Sequence, residues 1–567
     1  MSDIAALVAD NLDIWTCAIE RKSGAGRGGG KRISLYGIDR LRALILDLAV
    51  RGKLVSQDAG DEPAEKFFKR LGVPIRKNPK PNLNRGWAEA SLADLGEFVG
   101  GITPSKGVSR YWGEGHPWVS PKDMGEDQLI TSEDQVTQAA LEETSLKMVP
   151  AGSLVMVARS GILRRKFPVA ITNMPCTLNQ DMKALVLRPS VNQHYLQVML
   201  KGFQPRVLSD LVKTGMTVES LIFKDFTKAL WPIPPLAEQQ RIVAKVDELM
   251  ALCNALEHES AGAMDAHQAL VEILLATLVN SADATDLARD WARLESHFDT
   301  LFTTDASIDA LKQIILALAV RGKLVEQSDQ DEAASELLER TVRGKADLIR
   351  QGLAKRDKAL PRLTSINPPF ELPSGWVWAR FPELGILERG KSRHRPRNDP
   401  KLFSPGAYPL IQTGEVARAT GLINETHSHY SELGLSQSKL WEKGTLCITI
   451  AANIADAAIM GFDACFPDSV VGFVPSKPMN DTRYFLYFIR TAKADLLKFA
   501  PSTAQKNINL GILETLLIPL PPLREMDEIV AKVEALMALC DALKARLADA
   551  AQTQRHLADA ITQRAAA

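Results

Sequence analysis

Apolar residues recur at helical spacing in two long stretches of the chain. They step alternately by four and three residues, and this 3.5-residue period is typical of a coiled-coil seam. Each stretch follows a Pro-x-Pro-Pro-Leu segment that ends a strand and favours the first turn of a helix. We predict two long scaffold and partner-binding helices with these seam residues: Ile242, Val246, Leu249, Cys253 and Leu256, then Ile529, Val533, Leu536, Cys540 and Leu543.

The helical stretches occur in pairs because the chain contains an internal duplication. Residues 41–64 and 311–334 are identical at 15 of 24 positions, and both contain AVRGKLV. Residues 232–257 and 519–544 are identical at 17 of 26 positions. Each copy therefore begins with a shorter amphipathic helix and ends with a long one, and the chain has an internal pseudo-twofold repeat.

Between these helices the pattern changes to short β-rich runs separated by Gly and Pro, with one helical segment near the end of each copy. The two copies share only a frame here, such as Gly86-Trp87 with Gly375-Trp376. We predict an α+β fold in which two α/β domains are joined by long antiparallel coiled-coil helices. The predicted segments are an N-terminal helical region at 1–86, the first domain at 87–235, a central helical spacer at 236–375, the second domain at 376–522 and a C-terminal helix at 523–567.

Composition narrows the class of protein. The 567 residues include 68 Lys plus Arg and 68 Asp plus Glu, so an indiscriminate DNA coat is excluded. The six cysteines form no C-x-x-C pair, which argues against a disulfide framework or a zinc ribbon. No metal site is predicted, since His427 and His429 lack a third ligand. The acidic N-terminus and the lack of a run of about 20 apolar residues predict a cytoplasmic protein without membrane contact.

Two unlike domains on one duplicated frame suit a target with two different halves. A seam of about 25 residues spans ~38 Å, close to the ~34–36 Å of one turn of B-DNA. Arg164-Arg165-Lys166 and the stretch from Arg389 to Arg397 are locally basic, and arginine binds both guanine and phosphate. The sequence therefore predicts double-stranded DNA as a partner.

Loops at strand ends are the expected DNA-binding elements, because they carry polar and basic residues at the rim of each domain. In the first domain the candidates are Thr103, Ser105, Lys106, Ser120, Lys122, Asp123, Arg159, Ser160, Arg164, Arg165, Asn179 and Gln180. In the second domain they are Lys391, Arg393, Arg395, Arg397, Gln412, Thr413, Glu415, Asn453, Gln505, Lys506 and Asn507.

Several motifs together resemble a known family. The entrance LYGIDRLRALILDLAVRGKLV, the frame GITPS…YWGEGHPWVSPKDM and the exit P-x-P-P-L-x-E-Q-Q-R-I-V resemble the specificity subunit of type I restriction–modification systems, in particular its longer, B-type members. The resemblance covers essentially the whole chain. It implies a non-catalytic subunit whose two target-recognition domains each read one half of an asymmetric, two-part DNA sequence in a host-defence system.

The resemblance also implies partners. Two methyltransferase subunits that methylate adenine at N6 and two restriction subunits with translocase and endonuclease activity would assemble on the helices. No cofactor is expected in this chain, because S-adenosylmethionine, ATP and magnesium would act in the partner subunits. Polar substitution of Leu249 or Leu536 is predicted to uncouple the domains and weaken this assembly.

Two alternatives remain at this point. Asn367-Pro368-Pro369-Phe370 matches the N-P-P-[YF] loop of adenine methyltransferases, although no glycine-rich strand–turn–helix for the methyl donor precedes it. A fused adenine-N6 methyltransferase would bind S-adenosylmethionine by itself. A purely structural coiled-coil adaptor would show no DNA preference, and it would leave the divergence of the two domains unexplained.

Overall fold

The computed structural model describes residues 4–566 apart from 23–31, 76–82, 216–217, 282–283, 329, 352–367, 480 and 499–507. The chain divides into two compact units. The first unit comprises Met1–Ala263 together with Asp549–Ala567, and the second comprises Met264–Ala548. Both long helices therefore begin in one unit and end in the other.

The first copy contributes helices and short strands in mixed order, as its sequence pattern predicts. Its helices are α1 (Ile4–Asp10), α2 (Leu12–Cys17), α3 (Tyr36–Val50), α4 (Ala64–Leu71), α5 (Leu92–Leu95), α6 (Gln138–Glu143), α7 (Gln193–Gly202), α8 (Gln204–Asp210), α9 (Phe223–Lys228) and the long α10 (Leu236–Asn280). Its strands are β1 (Glu20–Lys22), β2 (Arg32–Ser34), β3 (Ala88–Ser91), β4 (Gly96–Gly100), β5 (Trp112–Val119), β6 (Gln128–Leu129), β7 (Asp134–Val136), β8 (Leu154–Val157), β9 (Val169–Thr172), β10 (Thr177–Leu178), β11 (Met182–Leu187), β12 (Val212–Lys213), β13 (Ser220–Leu221) and β14 (Leu230–Ile233).

The second copy has a similar but not identical order, with 11 strands where the first has 14 among the described residues. Its helices are α11 (Ala284–Glu295), α12 (Phe298–Leu301), α13 (Asp305–Val320), α14 (Ala334–Arg350), α15 (Phe381–Leu384), α16 (Thr413–Arg418), α17 (Glu432–Ser436), α18 (Arg483–Lys498), α19 (Leu510–Thr515) and the long α20 (Leu523–Ala566). Its strands are β15 (Val377–Ala379), β16 (Gly385–Arg389), β17 (Tyr408–Leu410), β18 (Leu422–Ile423), β19 (Ser428–Tyr430), β20 (Leu440–Trp441), β21 (Leu446–Thr449), β22 (Ala457–Met460), β23 (Ala464–Cys465), β24 (Val470–Pro475) and β25 (Ile518–Leu520).

The β-rich domain of each copy contains the same five-stranded sheet. The strand order is β4-β11-β8-β9-β6 in the first and β16-β24-β21-β22-β18 in the second. In both sheets the last pair is parallel and the other pairs are antiparallel. Each domain also begins and ends on one antiparallel ladder, β3 with β14 and β15 with β25. The predicted α+β repeat is confirmed, with one topology carrying two different sets of loops.

The predicted seams line the interior of the units. Ile242, Val246, Leu249 and Cys253 of α10 are at most 3% exposed, as are Ile529 and Val533 of α20, while Cys540 is 4% exposed. The remaining seam residues, Leu256, Leu536 and Leu543, are half-buried. At 45 residues, α10 is longer than the 25-residue seam predicts, while α20, at 44 residues, spans almost all of the segment 523–567. The extension of α10 follows from a second apolar set, Val271, Leu275 and Leu278, which enters the core of the second unit.

The duplicated AVRGKLV segment closes the end of a long helix in each unit. In the first unit Lys53 Nζ donates to the carbonyl of Ala566, 3.2 Å away, at the end of α20. In the second unit Lys323 Nζ donates to the carbonyls of Val279 and Ser281, at 3.1 and 2.8 Å, at the end of α10. The last carbonyls of a helix have no partner within it and carry the negative end of its dipole. In each unit, the repeated lysine therefore caps the C-terminus of the long helix that belongs to the other copy.

By length and composition alone, α10 is the one helix in the described part of the chain that would suffice to cross a membrane. Its apolar side chains supply the cores of both units instead, through Ile242 and Val246 at one end and Leu275 and Leu278 at the other.

A buried tryptophan–glutamate pair joins each β-rich domain to the start of its long helix. Trp87 Nε1 donates to Glu238 Oε2 at 3.0 Å, and Trp376 Nε1 donates to Glu525 Oε2 at 2.9 Å. All four side chains are at most 6% exposed, and burial raises the pKa of both glutamates. The duplicated Gly-Trp frame is thus explained by one repeated contact.

Replacing Trp87 by Phe is expected to lower the free energy of unfolding by about 1–3 kcal/mol, because Glu238 would lose its donor in a buried position. Chemical denaturation followed by circular dichroism measures this loss. Trp112→Phe is the matched control, since the Trp112 indole donates to a carbonyl at an exposed position. Equal losses in the two variants would contradict a special role for the buried pair.

Candidate nucleic-acid interface

In the first β-rich domain, three loops meet at the turn between β10 and β11. The Ile102 amide donates to the carbonyl of Leu178 at 2.9 Å, and the Asn179 amide donates to the carbonyl of Val119 at 2.8 Å. The Ala158 amide donates to the carbonyl of Asp181, also at 2.8 Å. We call the turn 178–181 and the loops 101–106, 120–123 and 158–166 the first loop cluster. These backbone hydrogen bonds bring together the loops that carry all the candidate residues of this domain.

The second β-rich domain has the same backbone arrangement. The Gly390 amide donates to the carbonyl of Val470 at 2.9 Å, and the Ile411 amide donates to that of Cys465 at 2.9 Å. The Ile450 amide donates to the carbonyl of Ser469 at 3.0 Å. The loops 390–397, 411–415 and 450–455 therefore meet at the turn 466–469, and we call this set the second loop cluster.

A glycine permits the close approach in each cluster. A Cβ atom on Gly101 would lie 2.1 Å from the carbonyl oxygen of Asn179, and one on Gly390 would lie 2.3 Å from that of Phe466. Real Cβ atoms do not approach carbonyls so closely. Both positions follow the first strand of the sheet, so the same requirement acts in both domains.

The candidate residues of the first cluster divide by their contacts. Ser120 is buried and pairs with Asp123 in a capping box, Lys122 forms ion pairs with Glu133 and Asp134, and the Asn179 side chain accepts from the Asp181 amide. These side chains hold the loops together. The Ser160 side chain caps the turn after β8, and the hydroxyl of Thr103 is buried without a hydrogen-bond partner among the described residues. Besides Lys122, the exposed candidates are Ser105, Lys106, Arg159, Arg164, Arg165 and Gln180.

In the second cluster, Gln412 and Glu415 form a capping box at the start of α16, whose first residue is Thr413. Asn453 is exposed and stands between Ala452 and Ala455, both in the left-handed backbone region with φ of 65° and 59°. Such conformations are costly for alanine and concentrate at functional sites.

The arginines of the second cluster are held by backbone and side-chain groups. Arg395 donates to the carbonyls of Ser392 and His394 at 2.8 Å, and Arg397 donates to Asp468 at 2.8 Å. Lys391 and Arg393 lie on the same loop, and Gln437 accepts from the Arg393 amide. The predicted Gln505, Lys506 and Asn507 lie outside the described residues.

Sequence reasoning missed the acidic partners of three arginines. Asp181 and Glu219 accept hydrogen bonds from Arg159 and Arg164, and Asp468 accepts from Arg397. No local motif identifies these acidic residues, because each pairs with an arginine on another strand or loop.

The methyltransferase-like motif has a structural use. The ring of Phe370 packs edge-on against Trp378 at a centroid distance of 5.0 Å, and the Arg321 guanidinium lies 5.4 Å above it. Asn367, which would bind the flipped base in a methyltransferase, lies outside the described residues. Within the described residues no group of three or more His, Cys, Asp or Glu side chains is placed to bind a metal ion.

Comparison with known proteins identifies the relatives of this chain. A family described as "Type I restriction modification DNA specificity domain" matches residues 84–261 and 373–552. The EcoEI specificity subunit of Escherichia coli is 33% identical, and the EcoAI specificity subunit of the same species is 31% identical, each over 99% of both chains. The crystal structure of the HsdS subunit from Thermoanaerobacter tengcongensis aligns over 86% of this chain and 98% of its own, with a TM-score of 0.39 and 17% identity.

The duplicated match agrees with the duplicated fold, because each matched segment contains one β-rich domain and the start of one long helix. The full-length relatives are specificity subunits, which are non-catalytic and leave catalysis to other subunits. The chain belongs to the type I restriction–modification DNA specificity family and is a specificity subunit with two recognition domains.

Proposed function

We propose that the two loop clusters are the DNA-reading surfaces, each contacting one half of an asymmetric, two-part target. The observation that carries this is the meeting of equivalent loops at one turn in both domains, where different polar and basic side chains surround the turn. A shared backbone with unlike side chains is what two readers of unlike half-sites require. The capping and ion-pair contacts support the proposal, because a rigid loop presents its exposed groups at fixed positions.

We further propose that two methyltransferase subunits and two restriction subunits assemble on this chain in the cytoplasm. Two copies of one partner require two equivalent docking surfaces, and the duplicated helices supply them. In this scheme the chain carries no cofactor. S-adenosylmethionine acts in the methyltransferase subunits, and ATP with magnesium acts in the restriction subunits.

The outward faces of the long helices fit this docking role. Leu252 of α10 and Leu539 of α20 occupy the same position in the two copies, and they are 41% and 66% exposed. Leu270 and Leu557 form a second equivalent pair, at 50% and 45% exposed. A single exposed leucine is ordinary, but the repetition of both positions in the two copies favours a common apolar contact. These leucines flank the buried seams of the two helices.

Mapping N6-methyladenine in DNA from cells that express this chain with its methyltransferase subunit tests the DNA-reading role. A two-part motif is expected when both proteins are present and is expected to vanish when the methyltransferase is expressed alone. A motif that persists without this chain, or no motif at all, would overturn the proposal.

A further inference from the structure

Two arginines of the first loop cluster are tethered through one nitrogen and leave their terminal groups free. Arg159 Nε donates to Asp181 Oδ1 at 2.7 Å, and Arg164 Nε donates to Glu219 Oε1. Both arginine side chains remain more than half exposed, at 52% and 60%. Among the described residues neither arginine has a partner for its Nη1 or Nη2 atom, so each pair of terminal nitrogens faces outward unpaired.

Ion pairs elsewhere in the same unit are of more than one kind. Arg51 of α3 also donates through Nε, to Asp47 at 2.9 Å, but its Nη1 is bonded to the carbonyl of Ala566. Arg70 uses both terminal nitrogens on Glu62, and Arg241 uses both on Asp61. In these bidentate pairs both terminal nitrogens are already bonded, so that edge of the guanidinium is not available to a planar ligand. The tethers on Arg159 and Arg164 instead fix the orientation of that edge and keep it available.

The tethering carboxylates are themselves held in place. The Asp181 amide donates to Asn179 Oδ1 at 2.7 Å, and the Asp181 carbonyl accepts from the amides of Ala158 and Arg159. The Glu219 side chain is only 5% exposed, and the Glu219 carbonyl accepts from the Ser160 amide at 3.0 Å. The hydrogen bond from Arg164 lowers the pKa of Glu219, so this carboxylate stays charged at neutral pH.

An oriented guanidinium edge matches a base better than a phosphate. Guanine presents O6 and N7 in one plane, and an arginine with two free nitrogens in that plane binds both. A phosphate accepts hydrogen bonds from many directions, so a phosphate contact needs no rigid tether. Asp181 and Glu219 already orient the two arginines before DNA binds. Binding a base therefore costs little further side-chain entropy, and this favours base reading.

We propose that Arg159 and Arg164 each read a guanine in the half-site bound by the first β-rich domain, with Asp181 and Glu219 as positioning residues that orient them. This inference rests on the proposed DNA-reading function. It adds that guanine is the base that is read, and it names the residues that read it. The proposal is confined to the first domain. In the second domain the Nη2 atom of Arg397 donates to Asp468, so this arginine does not have both terminal nitrogens free.

The test uses the full complex with its methyltransferase subunits and a DNA library in which each target position is varied singly. Arg164→Ala is expected to reduce the preference for guanine at one position of the first half-site by about 5- to 150-fold, the equivalent of ~1–3 kcal/mol. Arg159→Ala is expected to do so at a different position. Glu219→Gln should relax the same position as Arg164→Ala, and Asp181→Asn the same position as Arg159→Ala.

The second half-site serves as the internal control, because its preferences stay unchanged if the variants fold and assemble normally. Arg70→Ala is the matched external control, since Arg70 also pairs with a glutamate but lies on α4, outside the cluster. It is expected to leave every position unchanged.

Several outcomes would overturn the inference. A uniform loss across all sequences with a weaker salt dependence would identify the two arginines as phosphate contacts. An unchanged motif in both arginine variants would remove them from the interface, and relaxation by Arg164→Ala without any by Glu219→Gln would remove the positioning role. A wild-type complex without a two-part motif would instead refute the proposed function, and the inference with it.

Discussion

Replacing residues 88–233 by the corresponding segment of the EcoEI specificity subunit is expected to change one half of the DNA target completely and leave the other half intact. The segment starts at β3 and ends at β14, which pair antiparallel from Ala88 opposite Ile233 to Ser91 opposite Leu230. Both junctions therefore lie at the same end of one ladder. A graft with adjacent ends disturbs the scaffold little, because the path of the flanking chain is preserved.

The recipient also keeps the contacts that anchor the domain. Trp87 and Glu238 both lie outside the graft, so their buried hydrogen bond is retained. The main constraint is Gly202 of α7, where a Cβ atom would lie 2.4 Å from the Val50 side chain of α3. A donor segment with a larger residue there would need glycine restored.

Methylation mapping of the chimera, with its methyltransferase, measures the outcome. The reciprocal control replaces residues 377–520, between β15 and β25, and should change only the other half. If either graft changed both halves, the two domains would not be independent readers. If neither graft changed the motif, the bases would be read outside the β-rich domains.

Local patterns predicted the elements of this fold because their causes are local. In the first domain, the β-rich runs GSLVMVA at 152–158 and ALVLRP at 184–189 contain β8 and most of β11. The helical pattern HYLQVMLKGF at 194–203 contains most of α7. Sequence reasoning underestimated α10 because the 3.5-residue period fades after Leu256, in a segment rich in alanine and polar residues. The helix continues to Asn280 because a second apolar set packs in the second unit, which no local window reveals.

The candidate site was predictable only in part, for a related reason. The sequence places the candidate residues in strand-end loops, and the structure brings these loops together at a turn in each domain. The partners within the set were not predictable, because Arg159 pairs with a residue 22 positions away and Arg164 with one 55 positions away. Which polar residue caps a loop and which stays exposed depends on such distant contacts, as Ser120 and Gln180 illustrate.

Substitution by asparagine is expected to destabilise the protein strongly at one leucine of α10 and hardly at all at another leucine three residues away. Leu249 is 3% exposed in the core of the first unit, whereas Leu252 is 41% exposed on the outward face. Leu249→Asn should lower the free energy of unfolding by about 3–5 kcal/mol, because it leaves a cavity and buries an amide without partners. Leu252→Asn should change it by less than about 0.5 kcal/mol, as is usual for an exposed position.

Binding of the methyltransferase subunit tests the exposed leucine independently of the stability of the chain. Leu252→Asn is expected to weaken the complex while the chain stays folded, and Leu539→Asn should do the same at the equivalent position of α20. Denaturation curves and titration of the partner in a sedimentation assay measure stability and assembly independently. If both exposed variants assembled like the wild type, the partner would dock elsewhere; if Leu249→Asn left stability unchanged, the seam would not hold the unit together. The duplication makes the test stringent, because two identical partners on equivalent sites must respond alike to equivalent substitutions.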